Sequence, residues 1–242
     1  MRVKRIAMWS GPRNLSTVLL RSFGSRGDCA VVDEPFYAAY LLESGVQHPM
    51  RNLILDKYDS DPIKVAENCV NSPKTQSIEY QKHMTHHMMN GFDKTFIFEL
   101  TNAFLIRSPD KVIRSYGEKI KDFDIWELGF IQQAELFRLV VEKTNIVPPV
   151  IDADDLCENP QKGLSLLCSR LKIKFMETML RWEKGPHNYD GVWGEYWYKS
   201  VNRSTGFKRF KNPLSKTSDF QNEMISLAEP YYQILQQHKL KF

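Results

Sequence analysis

Long apolar runs are missing from this 242-residue chain, and so is any paired-cysteine motif. Its four cysteines (Cys29, Cys69, Cys157, Cys168) never fall in a Cys-x-x-Cys spacing and are too few to staple a small scaffold. Reduced thiols in a cytoplasmic protein are expected, not a disulfide framework. The charged start offers only four apolar residues, Ile6 to Trp9, before Ser10. That is too short for a signal-peptide core, and no stretch reaches the roughly 20 apolar residues of a membrane span, so no membrane insertion is expected. An excess of one charge is also lacking: 33 basic and 29 acidic residues leave +4 at neutral pH. Such a balance suits a small anionic ligand and falls short of a nucleic-acid-binding face. The local clusters Arg2-Lys4-Arg5 and Lys208-Arg209-Lys211 are read as solvated surface.

What the chain does have is 42% apolar residues, enough for a substantial core, and a regular alternation of element types. Five β-prone runs (3–9, 29–33, 78–82, 103–107 and 150–152) are interleaved with helical patterns over 15–26, 109–121, 127–143, 160–171 and 220–237. Ser108-Pro109 and Asn159-Pro160 each predict a capping residue before a first-turn proline. Strand–helix alternation predicts one α/β domain over 1–242, a P-loop-like three-layer α/β/α arrangement around a mostly parallel sheet. Ligands in such folds collect beyond the carboxyl ends of the strands. That rule selects 10–17, 33–37, 82–87, 107–115 and 152–156. The polar stretch 43–73, punctuated by Pro49, Pro62 and Pro73, is read as a helical insertion over the site.

The most informative segment is Arg5 to Phe23. An apolar strand breaks at Ser10-Gly11-Pro12, polar Arg13, Asn14, Ser16 and Thr17 follow, and Leu15, Val18, Leu19 and Phe23 recur at helical spacing. A loop on a helix N-terminus favours an anion, because the first N–H groups lack intrahelical partners and the dipole is positive there. The Walker lysine is absent, and Arg13 brings a cation from a different place. A second anion signal is Phe104-Leu-Ile-Arg107-Ser-Pro, with Ser115 eight residues after the arginine. An arginine fork with a hydroxyl suits a phosphate monoester, provided that Arg107 folds back across the helix face.

With these two motifs in order, the chain resembles the sulfotransferase superfamily, and specifically its bacterial sulfotransferase family members. Ser10-Gly-Pro-Arg-Asn-Leu-Ser-Thr17 stands where that family has its 5′-phosphosulfate loop. Arg107 with Ser115 matches its 3′-phosphate motif, and Trp193 to Phe207 is similar to a cofactor-covering loop, here read as 186–211. The resemblance implies 3′-phosphoadenosine 5′-phosphosulfate as donor, a small-molecule acceptor with a hydroxyl or amine, and no metal. It implies cofactor contacts from Arg13, Asn14, Leu15, Ser16, Thr17, Arg107, Ser115 and Arg203. Arg13 departs from the lysine common in that loop.

In-line sulfuryl transfer needs a base for the acceptor proton and cations for the charge that builds on the departing oxygen. Glu34, directly after a strand and held extended by Pro35, is the leading base. Lys82 and His83 resemble the lysine-plus-histidine position of the family. They give a leaving-group cation and a second candidate base, with a satisfied structural histidine as the other reading of His83. His83, His86 and His87 would also space as metal ligands on a helix, without a supporting carboxylate. Trp193, Tyr196, Trp197 and Tyr198 either stack on the ligand or pack in the core. Asp33, Asp152, Asp154 and Asp155 are read as strand-end, turn and capping residues. A P-loop-fold nucleotide kinase or phosphatase, and a non-catalytic nucleotide-binding scaffold, are the alternatives.

Overall fold

A computed structural model describes residues 3–209 and 217–242. Arg2, Lys211 and the end of the 186–211 segment lie outside the described residues. Five parallel strands, β1 (Lys4–Ser10), β2 (Cys29–Asp33), β3 (Ile78–Met84), β4 (Thr101–Ile106) and β5 (Val150–Asp152), form one sheet in the order β2-β3-β1-β4-β5. Among the described residues the helices are α1 (Ser16–Gly24), α2 (Tyr37–Ser44), α3 (Arg51–Lys57), α4 (Pro62–Asn71), α5 (Pro109–Gly117), α6 (Phe130–Thr144), α7 (Ala153–Glu158), α8 (Pro160–Arg170), α9 (Gly194–Trp197) and α10 (Asp219–Gln236).

The period of two along each strand builds the layers. Ile6, Met8, Tyr80, Ala103 and Leu105 face one way, into a core shared with Leu19 and Leu20 of α1 and Leu164 and Leu167 of α8. Ala7, Trp9, Phe104 and Ile106 face the other way, onto Val65 and Cys69 of α4, Ala134 and Phe137 of α6 and Leu235 of α10. Both faces of the inner strands are covered: β1 and β4 carry apolar runs at 6–9 and 103–106, whereas β3 alternates apolar residues with buried Glu79, Gln81 and His83 and also buries Lys82. All four cysteines are free and buried. None of the described helices is long and apolar enough to cross a membrane.

Several local expectations need correction. Neither Ser108 nor Asn159 caps its helix with its side chain, although both prolines hold the first turn. Asp152 is a true cap, accepting the N–H groups of Asp154 and Asp155. α6 begins at Phe130 rather than 127 because Gly129 adopts φ +73° as its N-cap. Arg5 is not solvated: it pairs with buried Glu79 at 3.1 Å. In the 43–73 stretch, α4 packs beneath the sheet rather than over the ligand face, and His48 is the residue of that stretch that reaches the cleft described below.

Two glycines let the chain cross itself beside the end of β1. A Cβ on Gly11 would stand 2.6 Å from the Leu128 carbonyl oxygen, and one on Gly129 would stand 2.6 Å from Thr85 Oγ1. Gly129→Ala therefore combines left-handed backbone with overpacking and costs about 2 kcal/mol. For a chain of this size that lowers Tm by about 4–8 °C, measurable by calorimetry. An unchanged Tm would mean that this crossing does not pin the loop after β1.

Candidate active site

β1 ends in the centre of the sheet, and the loop after it is built from unusual backbone. Arg13 and Leu15 take φ of 61° and 63°, left-handed values that cost a non-glycine residue energy and cluster at functional sites. Left-handed residues at alternate positions are backbone of the kind that can turn N–H groups toward one concavity, a nest suited to an anion, and α1 begins there with no side-chain cap on its first turn. Buried Asn14 clips the loop down by donating to the Leu105 carbonyl at 3.1 Å, and Gln133 ties the ends of β1 and β4 through Trp9 O and Leu105 O.

On the β4 side, Arg107 donates to the Arg13 carbonyl at 3.1 Å, and Arg13 Nε donates to Ser115 Oγ at 2.9 Å. The arginine–serine pair anticipated across the face of α5 is thus bridged by Arg13. Asp154 orients Arg107 from behind at 3.3 Å. Burial lowers the Arg13 pKa, Glu118 resists that, and the nearby Arg107 cation adds to it. An anion placed between these two guanidinium groups would stabilise both.

On the β2–β3 side lies a buried charged cluster. Lys82 Nζ donates to Asp33 Oδ1 at 2.9 Å, Glu34 Oε1 at 2.5 Å and Tyr198 Oη at 2.7 Å. Tyr198 in turn donates to Asp33 Oδ2 at 2.7 Å and accepts from Trp193 Nε1 at 3.1 Å. Burial would push the Lys82 ammonium down, but Asp33 and Glu34 outweigh it and hold the group above its ordinary range. Burial pushes the Glu34 carboxyl up; Lys82 opposes that, and Asp33 adds to the rise. Glu34 is not extended, as Pro35 predicted. Its φ is 45°, fixed by its N–H on the Lys82 carbonyl at 2.9 Å and its own carbonyl accepting from Tyr37 N–H at 3.0 Å.

A cleft of about 920 Å³ runs over these strand ends. It brings together Arg13, Leu15, Ser16, Thr17, Glu34, Lys82, Arg107, Ser115 and Arg203. Asn14 and His83 do not line it. Asn14 sits beneath the loop, its amide N–H on the Leu105 carbonyl. His83 follows Lys82 on a strand that runs two residues further than expected, so it points to the opposite face of the sheet. There it stacks on Trp9 with ring centroids 4.3 Å apart and bonds Gln81 at 3.0 Å, and burial pushes it down to about 3. A general base for a ligand in the cleft cannot sit there. His86 and His87 follow in a 3₁₀ turn, and no three His, Cys, Asp or Glu side chains among the described residues are grouped to hold a metal ion.

The covering segment divides. Tyr196 and Trp197 line the cleft, Trp193 packs inside with Tyr37 and Tyr58, and Tyr198 closes the Lys82 cluster. Arg21 of α1 holds the segment through a bidentate pair with Asp190 and a 2.9 Å bond to Asn202. Sequence reasoning missed Asp33 and Tyr198 as members of the charged cluster, and it missed Lys111, Arg114, Lys208 and Arg209 along the cleft. Helical spacing from Ser115 could have found Lys111, which stands one turn earlier on α5, with Arg114 beside it.

Residues 4–239 match the family described as sulfotransferase domain. Two Arabidopsis thaliana proteins, branched-chain-amino-acid aminotransferase-like proteins 2 and 1, are 34% and 35% identical over 96% of this chain. The chain spans only 41% and 42% of their lengths. The solved sulfotransferase from Alicyclobacillus acidocaldarius superposes with a TM-score of 0.54 at 8% identity, covering 100% of this chain and 98% of that one, which is a likeness of fold. With the match running through every strand and both anion-facing junctions, the chain belongs to the sulfotransferase domain family.

Proposed function

We propose that this protein transfers a sulfuryl group from 3′-phosphoadenosine 5′-phosphosulfate to a hydroxyl or amine of a small-molecule acceptor. The observation that carries this reading is the order of chemistry along the strand ends. Arg107 and Ser115 stand beside β4, the anion nest follows β1, and Lys82 and Glu34 follow at β3 and β2. Strands lie about 4.8 Å apart, so Glu34 stands roughly 10 Å across the sheet from the nest. A donor with a phosphate at each end fits the β4–β1 half, leaving its transferable group toward the carboxylate.

The cationic half of the cleft fits such a group. Arg107, with Arg13 and Ser115, would take the 3′-phosphate, and the N–H groups of loop 11–17 with Ser16 and Thr17 would take the 5′ end. Arg203 of the covering segment adds a cation from above. When bound, the donor supplies the sulfuryl group and departs as adenosine 3′,5′-bisphosphate. Glu34, as the ionised base, takes the acceptor proton. All three Lys82 N–H bonds are committed in this arrangement, so neutralising Glu34 loosens one of them for negative charge building nearby.

Ligand binding, turnover and stability each test part of this reading. Adenosine 3′,5′-bisphosphate at 100 times its Kd adds about 2.7 kcal/mol to stability, which raises Tm by about 5–10 °C. Arg107→Ala abolishes that shift; a preference for MgATP would instead point to a nucleotide kinase. Glu34→Gln lowers kcat by about 10²–10⁴ while leaving bisphosphate binding intact. Because Glu34 works ionised and its pKa is raised, kcat/KM of the unaltered enzyme falls with decreasing pH at a value above the ordinary 4.5, and the variant loses that limb. Retention of the acid limb in Glu34→Gln would remove it as base. Lys82→Met leaves two buried carboxylates uncompensated and costs about 3–5 kcal/mol in denaturant unfolding; a loss below 1 kcal/mol would mean that the cluster is solvated.

A further inference from the structure

Two carboxylates share the Lys82 ammonium, and they are held differently. The Asp33 side chain, at the end of β2, is 1% exposed and accepts on both oxygens. Oδ1 accepts from Lys82 Nζ at 2.9 Å, and Oδ2 accepts from Tyr198 Oη at 2.7 Å and from the Gly191 N–H at 3.2 Å. Asp33 does not line the cleft, whereas Glu34 does. Glu34 accepts through Oε1, from Lys82 at 2.5 Å and at 3.4 Å from Tyr198, and its Oε2 takes no hydrogen bond among the described residues. A proton arriving from the cleft therefore meets an unpaired oxygen on Glu34 and only paired oxygens on Asp33.

Two of the donors on Asp33 come from the covering segment, 158 and 165 residues further along the chain. Tyr198 Oη accepts from both Lys82 and Trp193, which leaves its single proton to point at Asp33. Val192 fastens the same segment by donating its N–H to Tyr58 Oη at 3.1 Å. Charge on Asp33 acts on Glu34 through the shared ammonium, because one cation must offset both carboxylates. Burial holds the Glu34 carboxyl above its ordinary range; Lys82 opposes that, Asp33 adds to it, and the Tyr198 hydroxyl opposes it. The other titratable groups facing the pair are Tyr37 of α2, Tyr80 of β3, Tyr189 of the covering segment and His87 after β3. Burial pushes the three phenols up and the imidazole down, so all four are uncharged at neutral pH. Arg21, whose guanidinium stands 5.9 Å over the Tyr198 ring, is paired with Asp190.

We propose that Asp33 is a positioning residue through which the covering segment acts on the base: seated by Gly191 and Tyr198, it fixes Lys82 and leaves Glu34 as the carboxylate that takes a proton from the cleft. The use of that proton rests on the transfer reading, whereas the test needs neither donor nor acceptor. The full chain, carrying glutamate with an isotope-labelled side-chain carboxyl carbon, is titrated by NMR. Loss of one signal in Glu34→Gln identifies Glu34. Asp33→Asn removes the competing charge and keeps the side chain's shape, so the Glu34 midpoint falls by about one pH unit. Tyr198→Phe takes a donor from Asp33, leaves more of its charge unmet and raises the midpoint. Loosened packing alone would admit water and move both midpoints the same way, toward the ordinary carboxylate value.

A Glu34 midpoint that Asp33→Asn leaves in place or raises overturns the assignment, and so does one that Tyr198→Phe leaves in place or lowers. Should Asp33→Asn not fold, the shift in Tyr198→Phe decides by itself. Where both midpoints move as stated and adenosine 3′,5′-bisphosphate does not bind, the positioning stands and the donor reading falls.

Discussion

The Lys82 ammonium, buried among Asp33, Glu34 and Tyr198, is the constraint that the rest of this site depends on. Each buried ion costs several kcal/mol of lost hydration, and Coulomb attraction offsets that only where every donor and acceptor is used. Here the count closes. Lys82 gives its three N–H bonds to three acceptors, and Tyr198 donates once and accepts twice. Asp33 accepts from Lys82, Tyr198 and the Gly191 N–H. The charges do not close: one cation faces two carboxylates. The excess negative charge together with burial raises the Glu34 pKa, so the cluster that fastens the strand ends also leaves one carboxylate ready for a proton.

This cluster reaches across 165 residues of sequence, from Asp33 to Tyr198, and makes the covering segment part of the sheet's own electrostatics. The Arg21–Asp190 pair does the same from α1. Both anchors are buried, so the segment over the cleft is set against the scaffold rather than laid over it. On the other side of β1 a different device operates. Backbone strain at Arg13 and Leu15 is held by hydrogen bonds beneath the loop, through Asn14 and Gln133, and by the glycine crossing at Gly11 and Gly129. The loop is thereby shaped by the fold itself, and a ligand of the proposed kind would meet a reduced ordering cost there.

The sequence disclosed what depends on local pattern. All five strands, the loop on the N-terminus of α1 and the proline-led starts of α5 and α8 follow from runs and spacings of a few residues. What escaped was set by distant partners or by strand parity. Asp33 lies in register with Lys82, but pairing of β2 with β3 is a fact of topology that neither run announces alone. Tyr198 reads as one aromatic among several until the fold sets its hydroxyl on Asp33. Asn14, a residue suited to a ligand loop or a cap, is used instead to satisfy a strand-end carbonyl. His83 fails by parity: had the strand been extended past Lys82, its neighbour would have been assigned to the far face at once. Glu34 shows the limit of a single-residue rule, since Pro35 disfavours the right-handed helical region without excluding the left-handed turn that two backbone hydrogen bonds stabilise.

Strand order also fixes a direction along the cleft. Because β1 is central, anything bound on its loop would have Arg13 and Arg107 toward β4 and the Lys82 cluster toward β3 and β2. An anion that slid toward β2 would give up Arg13 and Arg107 and meet histidines that burial keeps neutral. An uncharged ring that slid toward β4 would strip water from guanidinium groups and return nothing to them. Lys82, with all three N–H bonds on Asp33, Glu34 and Tyr198, adds no free cation at that end of the cleft.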